Sequence, residues 1–70
     1  MMKTGMIGER IKELRLEMGL SQAKLGEALA VSQDTVSLWE KSKALPNTEY
    51  VILMCKLFDI SADYLLGLKD

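Results

Sequence analysis

Apolar residues recur at helical spacing along most of the chain. Ile7, Ile11, Leu14 and Met18 stand at intervals of four, three and four, the signature of one apolar helix face. This spacing predicts a helix over Ile7–Met18, closed by Gly19, because glycine takes the left-handed conformation cheaply. A second helix is predicted over Ser21–Ala30, with Ser21 as N-cap and Leu25 and Leu29 on the buried side. Gly26 lowers helix propensity there by roughly 1 kcal/mol relative to alanine. Its presence fits either close approach of another helix or simple tolerance. "VSQDTVSLWEK", Val31 to Lys41, reads as a third helix with Ser32 as N-cap and Val36 and Trp39 inward. Only "AVS" separates helices two and three, a link short enough to hold them at a steep angle.

Pro46 interrupts the pattern, and Asn47 or Thr48 can cap a fourth helix over about Thr48–Phe58. Ser61 caps a fifth, about Ala62–Leu66, which stops at Gly67. No strand-type alternation and no internal repeat is present. Trp39 is expected in the core. Cys55 is expected as a small buried hydrophobe on the apolar side of helix four. The charges of helix one read as a solvated face, and Met1 and Met2 as a frayed start.

Length and composition narrow the class. The chain has 70 residues and is expected to form one domain over 1–70. Domains this short need help from disulfides, metals, partner chains or well-packed helices. One cysteine and no histidine leave neither a disulfide nor the usual zinc ligands, so no metal or cofactor is expected. Helix packing and self-association remain. No apolar run is long enough for a membrane span, and the N-terminus has no hydrophobic signal core. The expected location is the cytoplasm. With no histidine, no acidic pair at an obvious cleft and no Gly-rich phosphate loop, an enzyme is not expected.

The net charge is −1, nine Lys and Arg against ten Asp and Glu, which on its own disfavours a nucleic-acid partner. The distribution is uneven, however. The C-terminal part carries Lys56 and Lys69 against Glu49, Asp59, Asp63 and Asp70. A face built from the first two thirds is neutral to basic.

The segment "LSQAKLGEALAVSQDTVSLWEKSKALPN" resembles the Cro/repressor-type helix-turn-helix family, also called the xenobiotic-response-element type. Leu20, Ser21, Gln22, Gly26, Val31, Ser32, Val36, Ser37, Trp39 and Glu40 match its pattern, and "FDISADYLLG" resembles its usual ending. The resemblance covers Ile7 to Gly67 and implies an all-α, compact five-helix domain of the phage-repressor-like type. The helix-turn-helix itself lies at about 21–41. It also implies binding to double-stranded DNA as a homodimer, with repression by occupancy of a palindromic operator.

The resemblance places the third helix in the major groove. Gln33, Asp34, Thr35, Ser37 and Leu38 then lie nearest the bases, with Ser32 at the start of the same contact set. Gln33 is the strongest candidate reader, since its amide can bond adenine N6 and N7 together. Gln22 matches a phosphate-gripping position, and Lys41 and Lys43 would hold the backbone. Arg15 and Glu40 fit the places of a structural ion pair between helices one and three. Asp34 either accepts from cytosine N4 or favours the helix N-terminus through the dipole. Leu38 cannot hydrogen-bond, and Ser42 replaces a frequent glycine.

Two further expectations concern partners. Tyr50, Leu53 and Leu57, with Ile60, Tyr64 and Leu65, form either a dimer surface or packing under helix five within one subunit. Asp34, Leu38 and the net charge also suit a second class, a protein-interaction module of antitoxin-like kind on the same scaffold.

Overall fold

In the computed structural model, which describes residues 4–68, five helices follow one another: α1 (Thr4–Glu17), α2 (Gln22–Leu29), α3 (Gln33–Glu40), α4 (Thr48–Phe58) and α5 (Ala62–Leu65). The expectation for Met1 and Met2 lies outside the described residues. The predicted elements agree with the observed ones to within a turn.

Each boundary has a chemical cause. Ser21, Ser32, Asn47 and Ser61 sit in extended backbone before α2 to α5, and each side chain accepts a hydrogen bond from the backbone N–H three residues on. One otherwise unpaired donor is satisfied at each start. All five helices end on a left-handed residue: Gly19, Ala30, Ser42, Asp59 and Gly67. The following N–H then folds back onto the last turn, as Val31 N–H does onto Gly26 C=O at 2.9 Å and Lys43 N–H onto Leu38 C=O at 2.9 Å. This is the Schellman closure. Three of the five positions lack the glycine that favours it.

The core gathers Ile7, Ile11 and Leu14 of α1, Leu25 and Leu29 of α2, Val36 and Trp39 of α3, Met54 of α4 and Leu65 of α5. Trp39 is buried, and its ring stands 5.5 Å from that of Tyr50, centroid to centroid. Met18 departs from its predicted place and is exposed. α1 has already ended at Glu17, and Gly19 turns the chain so that Leu20, not Met18, packs on the core. Cys55 is half-buried. The solvated-face reading of α1 fits Glu9, Lys12, Glu13 and Glu17, which are exposed. It fails for its arginines: Arg15 is buried, and the Arg10 guanidinium lies 4.1 Å over the Tyr64 ring.

Gly26 does mark a close approach, but of the turn and not of another helix. A Cβ there would stand 2.6 Å from the Val31 carbonyl oxygen. Gly8 has the same role in α1. A Cβ on it would meet the carbonyl oxygens of Trp39 and of Glu40, the latter at 2.8 Å. The second turn of α1 is thereby seated on the last turn of α3.

Candidate nucleic-acid interface

The candidate interface is the unit formed by α2, its three-residue link and α3. Val36 and Trp39 anchor one side of α3 in the core, while Gln33, Asp34, Leu38 and Lys41 are exposed on the other and Ser37 is half-buried between them. Residues 33, 37 and 41 are neighbours at i, i+4 spacing, as are 34 and 38, so these five form one outward crest. α3 has eight residues and is about 12 Å long.

Ser32 and Thr35 hold a different place from the crest. The Ser32 hydroxyl accepts from Thr35 N–H at 3.1 Å and shares a hydrogen bond with the Thr35 hydroxyl at 3.0 Å. Both hydroxyls are therefore engaged in starting α3. Lys41 and Lys43 are exposed beyond its C-terminal end.

A buried polar network fixes this unit to the rest of the domain. Arg15 Nε donates to Glu40 Oε2 at 2.6 Å, and Arg15 Nη2 donates to Glu40 Oε1 at 3.1 Å. Arg15 Nη1 donates to the Leu20 carbonyl at 2.8 Å, so the same guanidinium also holds the link between α1 and α2. Gln22 Nε2 donates to Glu40 Oε1 at 3.1 Å. Three helices thus converge on one carboxylate. The hydrogen bond with Glu40 raises the Arg15 pKa above its ordinary value; burial works against this and the Glu40 charge adds to it. Arg15 is charged at every pH at which the domain is studied.

This network alters the charge presented outward. Glu40 and Arg15 neutralise one another inside. The exposed charges of the unit are Lys24, Lys41 and Lys43 against Glu27 and Asp34. Lys24 and Glu27 approach to 3.3 Å on the open surface of α2. The outward face of an acidic protein is therefore slightly basic here.

The second candidate set is divided by the fold between buried, partly buried and exposed positions. Leu65 is fully buried. It is the buried residue by which the single turn of α5 is anchored, so it cannot be part of a surface. Tyr50, Leu57, Ile60 and Tyr64 are partly buried and pack against the core of their own chain. Leu53 is exposed, as is its neighbour Ile52, which the sequence pattern did not single out.

The sequence matches the Helix-turn-helix family profile over residues 11–65. The chain belongs to the Cro/repressor-type helix-turn-helix family of transcriptional regulators. Among its relatives is the Repressor protein C2 of Salmonella phage P22, 40% identical over 65 residues, which cover 93% of this chain and 30% of that protein. The transcriptional regulator ImmR of Bacillus subtilis (strain 168) is 34% identical over 64 residues, covering 91% of this chain and 50% of ImmR. The chain thus spans half or less of these two relatives. The regulator YgzD of the same bacterium is 34% identical over 61 residues, with 87% of this chain and 92% of YgzD covered.

Solved structures of helix-turn-helix proteins agree with this fold. The P22 c2 repressor in complex with a synthetic operator superposes with a TM-score of 0.84 at 38% identity, covering 91% of this chain and 97% of that one. SinR in complex with DNA superposes with a TM-score of 0.78 at 32% identity, covering 87% and 98%.

One residue that shapes the helix-turn-helix unit here is not evident from its motif. Gly8 acts on α3 through tertiary contact, to which helical periodicity is blind. The Gln22–Glu40 bond had a signal in the sequence, since both residues belong to the matching pattern, but their side-chain contact needs the folded angle between α2 and α3.

Proposed function

We propose that this domain binds duplex DNA sequence-specifically as a two-fold homodimer in the cytoplasm, and represses transcription by occupying a palindromic operator. The observation that carries the reading is the crest of Gln33, Asp34, Ser37, Leu38 and Lys41 on a helix whose opposite side is locked into the core. An α-helix about 10–12 Å across with its side chains fits a major groove about 12 Å wide. Gln33 reads adenine through its paired donor and acceptor, and Leu38 packs on a thymine methyl. Asp34 excludes guanine-rich edges by lacking a donor, and accepts from cytosine N4 where that base is opposite it.

Lys41 and Lys43 hold phosphates and set register. Gln22 spends one amide N–H on Glu40. An amide carries two, and the second, with the backbone N–H groups of the α2 start, is available to a phosphate. Ser32 and Thr35 contribute by fixing the start of α3 against the backbone. No chemical step is involved.

Dimensions support two copies per site. The longest extent of the described chain is 31 Å, while recognition helices on adjacent half-sites stand roughly 34–36 Å apart. One chain therefore reads one half-site. The relatives whose solved structures contain DNA, the P22 c2 repressor and SinR, support the choice of ligand.

A gel-shift screen with palindromic duplexes from the region flanking its own gene tests the reading. A discrete, salt-sensitive complex is expected on at least one. Absence of any such complex at low salt overturns it. The second reading, a protein-interaction module, is favoured by the exposed Leu38 beside Asp34. Under it, reversing Lys41 and Lys43 to glutamate leaves partner binding intact.

A further inference from the structure

The crest of α3 has two rows. Gln33, Ser37 and Lys41 form one, and each of these side chains carries a hydrogen-bond donor. Asp34 and Leu38 form the other, at i, i+4 spacing. This row has no side-chain donor, because an ionised carboxylate only accepts. Both residues are exposed, Leu38 by 43%. The Asp34 carboxylate takes no hydrogen bond or ion pair from any described residue. The hydroxyls of Ser32 and Thr35 near it are engaged with each other at 3.0 Å. Leu38 is fixed in place, since its carbonyl accepts from Lys43 N–H at 2.9 Å and from Ala44 N–H at 3.3 Å.

A row that accepts but cannot donate discriminates among base edges. Guanine, adenine and thymine each present an acceptor to the major groove, at N7 and O6, at N7, and at O4. Leucine leaves such an atom without a partner, and a carboxylate repels it. Cytosine alone presents a donor, the N4 amino group, and no acceptor. Its C5 edge, on the neighbouring ring atom, is apolar. Aspartate and leucine share one branched skeleton, so two such side chains, about 5–6 Å apart at Cβ, reach equally far and can meet on neighbouring ring positions. A methyl group on C5 enlarges the apolar contact open to Leu38. Thymine carries that methyl but sets an acceptor beside it. The base that joins a donor to a methyl is 5-methylcytosine.

We propose that duplex DNA carrying 5-methylcytosine is the preferred ligand of this domain, with Asp34 accepting from N4 and Leu38 packing on the C5 methyl of the same base, once per half-site. The proposal rests on the DNA-binding reading above, and moves the Leu38 contact from a thymine methyl to the cytosine that Asp34 holds. Methylation of the operator then strengthens occupancy.

Two libraries of random duplexes are selected in parallel with the purified protein, one with ordinary cytosine and one with 5-methylcytosine throughout. Enriched duplexes are titrated by fluorescence anisotropy, with each cytosine of the half-site replaced in turn by 5-methylcytosine or by thymine. At one cytosine per half-site the methyl is expected to tighten binding about fourfold, the worth of one buried methyl group. Thymine at that position is expected to weaken it by about tenfold or more. Leu38→Ala abolishes the gain from the methyl and keeps the preference for cytosine over thymine. Asp34→Asn keeps the gain and admits thymine, because an amide can donate to O4. A role of Asp34 at the helix dipole alone changes stability, followed by circular dichroism, and leaves base preference unmoved. The proposal is overturned by a methyl that changes binding at no cytosine or weakens it, by a gain that survives Leu38→Ala, or by a preference for cytosine that survives Asp34→Asn intact. It is equally overturned if the two residues select different base pairs. Enrichment of no duplex from either library overturns the DNA-binding reading itself, whereas enrichment without a methyl effect overturns this proposal alone.

Discussion

Arg15 and Glu40, twenty-five residues apart in sequence, meet through two hydrogen bonds of 2.6 and 3.1 Å with both side chains nearly buried. The pair joins α1 to α3, and Gln22 draws α2 into the same carboxylate. A buried pair is not a large net stabiliser compared with an apolar pair, because both ions lose their hydration. Breaking it from one side is costly, because one charge is left inside.

Glu40→Ala is therefore expected to lower stability by about 3 kcal/mol, out of the roughly 4–10 kcal/mol available to a domain of this length. Arg15→Met leaves the Glu40 carboxylate inside and is expected to cost a similar amount, and Arg15→Met with Glu40→Ala less than the sum of the two single changes. Urea unfolding of the four proteins measures this. Additive losses would show that the two residues act separately.

Gly8→Ala and Gly26→Ala provide a test of sign. Helix propensity alone favours alanine at both positions by about 1 kcal/mol. The backbone carbonyls of Glu40 and Val31, at 2.8 and 2.6 Å from the added Cβ, cannot yield as a flexible side chain would. Both changes are expected to destabilise by about 1–3 kcal/mol, read as a lower thermal midpoint.

The reverse holds at Ala30 and Ser42, which carry φ of 61° and 60°. A side chain in this region costs roughly 1–2 kcal/mol, offset in part by the greater freedom of glycine in the unfolded chain. Ala30→Gly and Ser42→Gly are each expected to stabilise by up to about 1 kcal/mol, measured by urea unfolding. Ser42 thus bears on how firmly α3 ends.

Burial pushes the Cys55 thiol up. The reactive thiolate is accordingly scarcer in the folded protein than in the unfolded chain at any pH below the folded value. Alkylation by iodoacetamide at mildly alkaline pH is expected to be several-fold slower in the native state than in denaturant. Equal rates would place the thiol in open solvent.

The helices were legible because their signals are local. Serine and asparagine caps, Gly19, Gly67 and apolar spacing act within one or two turns. The core positions Ile7, Ile11, Leu14, Val36 and Trp39 followed from the same spacing. Met18 was misplaced because the pattern carries no knowledge that α1 has ended one residue earlier. For Leu65 the pattern left dimer surface and packing within the subunit open, because a one-turn helix gives no periodicity to tell its inner side from its outer; the fold buries it. The ends at Ala30 and Asp59 carried no glycine to announce them. The Arg15–Glu40 pairing came from family resemblance; neither residue's neighbourhood in sequence points to the other. Interface residues on α3 and the capping role of Ser32 could be named from the sequence, while the engagement of the Thr35 hydroxyl and of Gln22 in the domain's own hydrogen bonds required the fold.

The charge of the interface bears most directly on the central claim, that α3 and the lysines after it bind DNA. The decisive measurement is fluorescence anisotropy of a labelled operator duplex titrated with wild type and with Lys41→Gln/Lys43→Gln across a series of salt concentrations. The logarithm of affinity is expected to fall linearly with the logarithm of salt, and the double variant to bind more weakly with a slope reduced by about one per lysine. Binding that ignores salt, or a variant whose affinity and slope match those of the wild type, would contradict it.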